Sequence, residues 1–350
     1  MIQKLDIAEF LKLADTVPVI DVRTPLEFAH ARIPGAYNLP IFSNEERVLV
    51  GTCYKQKSRE EAILLGFDLT GPKWSGFIQD ALKIAPEKKI LVHCWRGGMR
   101  SGAMAWALSL YGFDVYLLEG GYKRFRNWVL DQFKEEYPLL VVGGMTGSGK
   151  TNTLIELKNL NQQVIDLEDI AQHQGSAYGS MGKLIQPSQE HFENILASQL
   201  VKTDRTKPIW VEDESLSIGK CFIPNPFFKQ MRETTLLKLE VPFQKRVDFL
   251  VEEYGKLNKE FLIERTLKIG KRLGPLQTKE AIQAIETDQM ELFIKMVLVY
   301  YDKTYSNGQG KRLAEKVYPL PCKSTNAKEN SEILLNHYLI SNVSNLTSHI

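Results

Sequence analysis

The sequence predicts a two-domain α/β protein in which each domain is built on a parallel sheet. Two short apolar runs, Ile90–Val92 and Leu139–Val142, are each followed by a glycine-rich loop and then by a helical pattern. Further apolar runs alternate with helical patterns along the chain, which is typical of a parallel sheet covered on both faces. A length of 350 residues is enough for two cores. We place the first domain at residues 1–133 and the second at residues 134–350.

The first domain is expected to contain short strands wherever an apolar run of strand length occurs. Thr24 and Pro25 predict the start of a helix after the first run, because Thr is a common N-cap and Pro fits the first helical turn. A second helix, Arg100–Tyr111, is expected after the glycine loop. The predicted strands lie within Pro18–Arg23, Ile33–Leu39, Ile90–His93 and Val115–Leu118.

The second domain is expected to follow a charged amphipathic stretch, Arg124–Tyr137, which ends at Pro138. Its apolar runs again have strand length and are separated by polar or helical segments. From residue 244 to about residue 301 the pattern is mostly helical and charged, which predicts a helical extension of this domain. The predicted strands lie within Leu139–Val142, Gln163–Asp166, Pro208–Asp213 and Leu236–Val241.

The composition is that of an ordinary globular protein, with 43% hydrophobic and 25% charged residues. Because the formal net charge is only +2, a nucleic acid would have to be bound by a local basic patch. The four cysteines form no Cys-X-X-Cys pair, which argues against a zinc ribbon or a disulfide framework. The sequence has neither an apolar stretch of membrane-spanning length nor a signal-peptide profile. We expect a cytoplasmic protein that uses no membrane, haem, flavin or zinc.

The loop His93–Ser101 places Cys94 between a predicted strand and a predicted helix start. Backbone N–H groups at such a position bind oxyanions, and two glycines allow those groups to converge. Two arginines in the loop would add charge-assisted donors. A thiol in this setting has a depressed pKa and can attack sulfur, selenium or phosphorus. The predicted catalytic residues are Cys94, Arg96 and Arg100.

The first domain resembles the rhodanese family. The resemblance is carried by Ile20–Phe28, by Ile33–Pro40 and by the loop that Cys94 opens. It implies a parallel-sheet domain whose cysteine carries transferable sulfur as a persulfide. The spacing His-Cys-X5-Arg-Ser is one residue longer than the usual sulfurtransferase loop and matches phosphatases of the same fold. The longer loop predicts room for a tetrahedral phosphate-like group, which could be selenophosphate or a phosphoester.

The segment Gly144-X4-Gly149-Lys150-Thr151 is a complete phosphate-loop (Walker A) motif and follows a predicted strand. This motif predicts a P-loop NTPase-like domain that recognises a di- or triphosphate, and it does not establish ATP hydrolysis. Asp213 is the predicted Walker B acid with Glu212 and Glu214 beside it, and Thr151 and Asp213 are candidate ligands of Mg²⁺. The predicted diphosphate-binding residues are Gly144, Gly147, Ser148, Gly149, Lys150 and Thr151.

A polar, glycine-containing stretch follows the strand at Gln163–Asp166. In a parallel sheet, ligands bind at the carboxyl ends of the strands, so this stretch is a candidate substrate loop. The residues that could face a substrate there are Asp166, His173 and Ser176.

The order of the two domains resembles the family of tRNA 2-selenouridine synthases. The resemblance covers nearly the whole chain, weakening after about Tyr305, and extends to segments outside both loops. These segments are Gly51–Gln56, Glu119–Lys123, Asp166–Glu168, Gly175–Ala177 and Glu212–Ser215.

This resemblance implies a transferase that converts 2-thiouridine at the wobble position of tRNA (position 34) to 2-selenouridine. Family members use selenophosphate, and they use geranyl diphosphate to form an S-geranyl-2-thiouridine intermediate. Lys150 and Thr151 would then hold the prenyl diphosphate, and we expect an apolar groove near them. The loop of Cys94 would hold selenophosphate through Gly97, Gly98, Met99 and Ser101.

The implied partner is the anticodon loop of a tRNA that carries 2-thiouridine, with the enzyme that produces selenophosphate as a second partner. A tRNA requires contacts to its phosphates, and a basic, acid-poor stretch of near-helical spacing could supply them. The candidate contacts are Arg265, Lys268, Lys271 and Arg272.

Three other functions fit parts of the sequence. A rhodanese-fold phosphatase would cleave an aryl phosphate and would leave the phosphate loop without a role. An ATP-dependent tRNA sulfurtransferase would need ATP, although no adenylating signature is present. A nucleotide-gated binding protein with an inert rhodanese scaffold would keep its function when Cys94 is replaced by alanine.

Overall fold

The computed structural model describes residues 1–173, 185–309, 312 and 314–347. The described chain divides into two compact units. The first unit contains residues 1–133 together with Pro187–Ser198, and the second contains the remaining residues. Ser176, a candidate substrate-loop residue, lies outside the described residues.

The first unit is built on a parallel sheet with the strand order β1-β5-β4-β2-β3. Strand β4 carries the run Ile90–Val92, whose residues are fully buried because helices cover both faces of the sheet. The strands are β1 (Ile2–Leu5), β2 (Val19–Asp21), β3 (Tyr37–Asn38), β4 (Lys89–His93) and β5 (Asp114–Leu118).

Several helices of the first unit begin where the sequence offers a capping side chain. Thr24 accepts a hydrogen bond from the backbone N–H of Glu27, whose carboxylate accepts one from the backbone N–H of Thr24 in return. Ser43 and Glu46 form the same capping box at the start of α3. The helices are α1 (Ile7–Leu13), α2 (Pro25–His30), α3 (Asn44–Gln56), α4 (Arg59–Thr70), α5 (Trp74–Ile84), α6 (Met99–Leu110) and α7 (Gly121–Gln132).

The second unit is built on a parallel sheet with the strand order β12-β11-β6-β8-β7. The strand before the phosphate loop, β6, therefore lies directly beside β8, the strand that ends at Glu212. A two-stranded antiparallel ribbon, β9 with β10, follows β8. The strands are β6 (Leu139–Gly144), β7 (Gln163–Ile165), β8 (Ile209–Glu212), β9 (Ser217–Ile218), β10 (Cys221–Phe222), β11 (Leu236–Glu240) and β12 (Val317–Pro321).

Helices of the second unit cover this sheet and extend it. Helices α12 to α15 pack around their own apolar cluster, which includes Leu262, Ile285 and Phe293. The bounds are α8 (Lys150–Asn159), α9 (Leu167–Ala171), α10 (Gln189–Val201, shared between the units), α11 (Asn225–Glu233), α12 (Phe243–Tyr254), α13 (Lys259–Leu273), α14 (Pro275–Glu286), α15 (Met290–Gln309) and α16 (Ala327–Thr347).

The predicted α/β fold class is confirmed, and so is the helical character of the extension after residue 244. The amphipathic stretch Arg124–Tyr137 is helical only up to Gln132 and belongs to α7, which begins at Gly121. Within the described residues, none of the helices has the length and apolar character needed to cross a lipid bilayer.

Candidate functional site

The cysteine loop, residues 94–98, connects β4 to the N-terminus of α6. Gly97 has a φ of +67°, and a Cβ atom there would lie 2.8 Å from the carbonyl oxygen of Leu118. A hydrogen bond from α7 also holds the loop, because the backbone N–H of Tyr122 donates to the carbonyl oxygen of Cys94 at 2.8 Å. A glycine at position 97 therefore allows the loop to pack tightly against the end of β5.

The thiol of Cys94 is almost fully buried at the floor of this loop. Its Sγ lies 3.2 Å from the hydroxyl oxygen of Ser101, in the first turn of α6. Burial raises the pKa of this thiol, but hydrogen bonds from Ser101 and from the backbone of Gly98, together with the charge of Arg100, lower the pKa further, so the net shift is downward. The predicted thiolate-stabilising environment of Cys94 is therefore present.

The guanidinium of Arg100 is held beside the loop by Glu27. Nη1 of Arg100 donates to Oε2 of Glu27 at 2.8 Å, although 73 residues separate the two in sequence. Arg100 holds the pKa of Glu27 below its usual range in spite of burial, which raises that pKa. Arg96 is exposed and forms no ion pair with a carboxylate of the described residues. Arg100 thus has a fixed position, whereas Arg96 lies at the surface of the loop.

Several buried polar side chains at the ends of β2 and β4 support the cysteine loop. Arg23 donates to both carboxylate oxygens of Asp21, and its guanidinium carbon lies 3.7 Å from the ring centroid of Tyr122. His93 is fully buried, with its Nε2 3.8 Å from Oδ2 of Asp21. Burial lowers the pKa of His93, so the residue before Cys94 is neutral at physiological pH. These residues position the loop and do not reach its surface.

A cavity of about 720 Å³ lies beside the cysteine loop within the first unit. We call it the α3–α6 cavity, because its walls come from α3, α4, α5 and α6, and from Arg96 of the loop itself. An apolar groove was predicted near the phosphate loop, whereas this cavity was not predicted. The lining is dominated by apolar side chains, including Val48, Ile63, Phe67, Trp74, Met99 and Ala103.

The phosphate loop connects β6 to the N-terminus of α8, which begins at Lys150. Gly147 has a φ of +79°, and a Cβ atom there would lie 2.8 Å from a methyl carbon of Leu250. Nζ of Lys150 donates to the carbonyl oxygen of Gly144 at 2.9 Å, so the lysine lies across its own loop. The hydroxyl of Ser148 is buried without a hydrogen-bond partner in the described residues. This geometry supports the predicted phosphate-binding role of the loop.

Three carboxylates meet at the carboxyl ends of β7 and β8. One oxygen from each of Glu168, Glu212 and Glu214 lies within 4.8 Å of the others. Oε1 of Glu212 accepts a hydrogen bond from the backbone N–H of Glu168 at 2.9 Å, while its Oε2 is buried without a partner in the described residues. Thr151, at the start of α8, donates from Oγ1 to Oε2 of Glu168 at 3.3 Å. We call Glu168, Glu212 and Glu214 the acidic cluster.

The electrostatics of the acidic cluster favour a bound cation. Burial, and then the charges of Glu168 and Glu214, raise the pKa of Glu212 well above its usual range. Burial and the charge of Glu168 raise the pKa of Glu214 to about 8. Oxygen ligands and a buried, unpartnered carboxylate oxygen are what Mg²⁺ prefers, so the cluster together with Thr151 fits this ion.

The structure places Asp213 differently from its predicted role beside Thr151. Its Oδ1 accepts from Nη2 of Arg312 at 2.7 Å and from Nη1 of Arg232 at 3.4 Å. The group that could hold a metal contains Glu212, as predicted for the Walker B position, but not Asp213. Alternation along the strand explains this, because successive side chains of β8 point to opposite sides. Asp213 forms buried ion pairs, and Glu168 takes the place beside Thr151.

Two further candidate residues, Asp166 and His173, lie at the two ends of α9. Oδ1 of Asp166 accepts from the backbone N–H of Asp169 at 2.8 Å, so Asp166 caps α9. The backbone N–H of His173 donates to the carbonyl of Glu168 at 3.0 Å, directly after that helix. His173 is thus tied by its backbone to a residue of the acidic cluster.

The four basic candidates all lie on α13, and their spacing places them on one side of that helix. Lys268, Lys271 and Arg272 are exposed. Lys268 pairs with Glu264 at 2.6 Å, and the guanidinium of Arg265 lies 4.9 Å from the ring centroid of Phe261. The two residues at the end of the helix thus form the most accessible part of this basic face.

Three carboxylates near the two loops were not predicted as site residues: Glu27, Glu168 and Glu214, the last of which was noted only as a neighbour of Asp213. Each lies beside a group that is distant in sequence, so no local motif identifies its place. Glu168 and Glu214 do stand within segments that resemble the selenouridine synthases, and their acidic character was visible there. Glu27 stands at the third position of a capping box, which explains its local role but not its pairing with Arg100.

Two family models match the chain in the order expected. The model described as "Rhodanese-like domain" matches residues 6–127. The model described as "tRNA 2-selenouridine synthase AAA domain" matches residues 137–328, which is more than half of the chain.

Two relatives at 38% identity carry the name of the same family. The chain is 38% identical over 300 residues to a tRNA 2-selenouridine synthase of Nitrosomonas europaea, covering 81% of this chain and 75% of that protein. It is also 38% identical over 298 residues to the protein of the same name from Nitrosomonas eutropha, covering 83% and 74%. A crystal structure of the N-terminal domain of a Clostridium difficile 630 protein, described as binding ATP or GTP, is 43% identical. That match covers 37% of this chain and 99% of the other, with a TM-score of 0.35.

Proposed function

The chain belongs to the family of tRNA 2-selenouridine synthases, and from this premise we propose that it converts 2-thiouridine at the wobble position of tRNA to 2-selenouridine in two steps. It is an enzyme of tRNA selenouridine modification. The first step uses geranyl diphosphate and the second uses selenophosphate. Each step is assigned to one of the two anion-binding loops.

The phosphate loop is the proposed site of geranyl transfer. The sulfur of 2-thiouridine attacks C1 of geranyl diphosphate, the C1–O bond breaks, the diphosphate leaves with the electron pair, and the base loses its N3 proton. Lys150 and the backbone N–H groups of the loop would stabilise the charge of the departing diphosphate. Thr151 and the acidic cluster would hold Mg²⁺, which supplies neutralisation of diphosphate charge when bound.

The cysteine loop is the proposed site of selenium transfer. The selenium of selenophosphate attacks C2 of the S-geranylated base, the C2–S bond breaks, and geranylthiolate leaves with the electron pair and takes up a proton. Water then cleaves the Se–P bond, which releases phosphate and leaves 2-selenouridine. Arg100, held by Glu27, and the N-terminus of α6 would bind the phosphoryl oxygens of selenophosphate. Cys94 would assist as a thiolate beside the selenium atom.

Two anion-binding loops of unlike chemistry in one chain support this division. The cysteine loop offers a thiol of lowered pKa together with a fixed arginine. The phosphate loop offers a lysine and an acidic cluster suited to a metal-bound diphosphate. A phosphatase would need only the first loop, and an ATP-dependent sulfurtransferase would need an adenylating signature, which the sequence does not contain.

The tRNA is the proposed partner, and selenophosphate is proposed to come from the enzyme that makes it. The exposed basic residues at the end of α13, Lys271 and Arg272, are proposed to contact tRNA phosphates. Such contacts would position the anticodon loop without reading its sequence.

The test is nucleoside mass spectrometry of an anticodon stem-loop RNA after incubation with purified protein. Geranyl diphosphate and selenophosphate are added separately and together to wild-type protein, Cys94→Ala and Lys150→Ala. We expect Lys150→Ala to lose S-geranyl product, because the leaving diphosphate loses its cation. We expect Cys94→Ala to accumulate S-geranyl-2-thiouridine without forming 2-selenouridine.

Pre-geranylated RNA separates the two steps. Lys150→Ala should convert this RNA to 2-selenouridine at the wild-type rate, because the phosphate loop is no longer needed. Loss of both products in both variants would contradict the division between the loops. An unchanged base under every condition would contradict the function itself, and an aryl phosphate substrate would then test the phosphatase alternative.

A further inference from the structure

We propose that the α3–α6 cavity holds the geranyl chain of S-geranyl-2-thiouridine while selenium is added at the cysteine loop. This inference rests on the proposed function, since it concerns the intermediate of that reaction. It assigns the binding site of the prenyl chain to the first unit rather than to the phosphate loop.

The cavity is large enough to hold a ten-carbon geranyl chain. Its volume of about 720 Å³ lies within the range of pockets that enclose small organic ligands. Apolar side chains from four helices line it, and several of them remain accessible to solvent. Val48 is 66% exposed, Phe67 is 57% exposed and Met99 is 56% exposed. An open cleft of this size and character is uncommon on a protein surface that has no ligand or partner.

The cavity and the cysteine loop share residues. Arg96, Met99 and Arg100 line the cavity and also belong to the loop or to the first turn of the helix that follows it. A ligand whose head lies at the loop would therefore have its apolar tail directed into the cavity. In the proposed selenium step the group bonded to the reacting carbon is geranylthiolate, so its chain must lie next to the anion site.

The charges around the cavity fit the remainder of the same ligand. Arg47, Lys55 and Arg96 line the cavity as exposed cations, and none of them forms an ion pair within the described residues. A nucleotide carries phosphates on either side of its base, so unpaired cations beside an apolar cavity suit an RNA-linked prenyl group. A free hydrocarbon or an uncharged lipid would not use them.

The test compares the affinities of three anticodon stem-loop RNAs, which carry S-geranyl-2-thiouridine, S-methyl-2-thiouridine or 2-thiouridine. Selenophosphate is left out, so that no turnover occurs. We expect wild-type protein to bind the geranylated RNA at least about tenfold more tightly than the methylated RNA, because burial of apolar surface favours the longer chain. Contacts to the rest of the RNA contribute equally to both affinities, so their contribution cancels in the ratio.

Matched variants test where the geranyl chain binds. Ala103→Phe fills the cavity and should reduce the geranyl-to-methyl ratio to within about twofold of unity, whereas Ser109→Phe, on the same helix outside the lining, should leave the ratio unchanged. Phe67→Ser removes a lining side chain and should lower the ratio, whereas Leu64→Ser, at an equally exposed position of α4 outside the lining, should not. A ratio near one in wild-type protein, or an unchanged ratio in both lining variants, would overturn the proposal.

A ratio that is lost in Lys150→Ala and kept in Ala103→Phe would also overturn the proposal, because the chain would then bind at the phosphate loop. Failure of the proposed function gives a different result from failure of the cavity assignment. If the ratio and its loss in Ala103→Phe are observed but no 2-selenouridine forms when selenophosphate is added, the cavity assignment stands without the function. If 2-selenouridine forms while the ratio is near one, the function stands and the cavity assignment is wrong.

Discussion

The cysteine loop and the phosphate loop are built in the same way but carry opposite electrostatics. Each connects a buried parallel strand to the N-terminus of a helix, with Gly97 in the first loop and Gly147 and Gly149 in the second in the left-handed region. The cysteine loop and the first turn of α6 carry two arginines, Arg96 and Arg100, and Glu27 fixes the position of Arg100. The phosphate loop has one lysine, Lys150, and lies close to three carboxylates. The backbone thus provides anion binding in both, and the side chains decide which anion is accepted.

This difference predicts how each loop receives its ligand. A thiolate that is already stabilised by hydrogen bonds needs no metal, and its loop can bind a bare oxyanion directly. A metal cation would favour the ionised form of the acidic cluster and would bind a diphosphate at the same time, so we expect the second loop to take its ligand together with a cation. We therefore expect metal dependence in the geranyl step and not in the selenium step.

The largest expected effect comes from the acidic cluster. Glu212→Gln should reduce geranyl transfer about a hundredfold at a fixed Mg²⁺ concentration, because changes at a metal site weaken metal affinity to that extent. A Mg²⁺ titration of geranyl transfer measures the effect, with Glu240→Gln, an exposed position on β11, as the control. If geranyl transfer by Glu212→Gln depends on the Mg²⁺ concentration as it does in wild-type protein, the acidic cluster does not bind the metal ion. The proposed difference in metal dependence between the two loops would then be contradicted.

The acidic cluster should also make the metal-free protein sensitive to pH. Glu214 stays protonated in the folded protein up to a pKa of about 8, whereas the unfolded chain releases this proton near pH 4.5. The free energy of unfolding should therefore fall as the pH rises between these values, with a contribution from Glu214 of at most about 1.4 kcal/mol per pH unit. The raised pKa of Glu212 adds a second contribution of the same sign. Urea unfolding in EDTA across this range measures the slope. Glu214→Gln should make the slope shallower, and an equal slope in that variant would contradict the assignment.

At the cysteine loop, the ion pair of Arg100 with Glu27 should matter for selenophosphate. Glu27→Gln keeps the capping interaction but loses the charge that fixes Arg100, so we expect about a tenfold higher KM for selenophosphate. The selenium step on pre-geranylated RNA measures this change. Glu9→Gln is the matched control, because Glu9 occupies the same position in the capping box of α1. A similar effect in both variants would indicate a general loss of stability.

The smallest expected effect concerns Ser101. Its hydrogen bond lowers the pKa of Cys94, so Ser101→Ala should move the acid limb of the pH–rate profile of selenium transfer to higher pH. At neutral pH the rate should fall about fivefold, as expected for the loss of one hydrogen bond. Ser109→Ala, on the same helix, is the control. An unchanged acid limb in Ser101→Ala would mean that the thiolate of Cys94 does not limit the step.

The strands that carry the two loops could be predicted because their apolar runs and glycines form local patterns. β4, β5 and β6 were each predicted within one or two residues of their observed bounds. Helices α3, α4 and α5 were not predicted, although the apolar residues of α5 stand at helical spacing from Trp74 to Leu82. Strand β12 was missed because Pro319 and Pro321 lie in it, and proline is confined to edge strands or strand ends.

The two loops themselves could be predicted, but the residues that complete them could not. Thr151 and Asp213 were expected to share a metal ion, but the carboxylate beside Thr151 is that of Glu168, and Asp213 pairs with Arg312. The pairing of Glu212 with the backbone of Glu168 spans 44 residues, and only the strand order of the sheet brings the two together. The α3–α6 cavity depends in the same way on how helices that were not predicted pack together, so no local sequence pattern predicts it.

The segment Pro187–Ser198 is a part of the first unit that is encoded inside the second. The carboxylate of Glu190 accepts from the hydroxyl of Tyr122 at 2.8 Å, and the amide of Asn194 donates to the carbonyl of Arg32 at 2.9 Å. During synthesis on the ribosome, the phosphate loop and β7 emerge before this segment does. The first unit therefore receives its last packing partners only after translation of the second unit is well under way, so the two units cannot mature strictly one after the other.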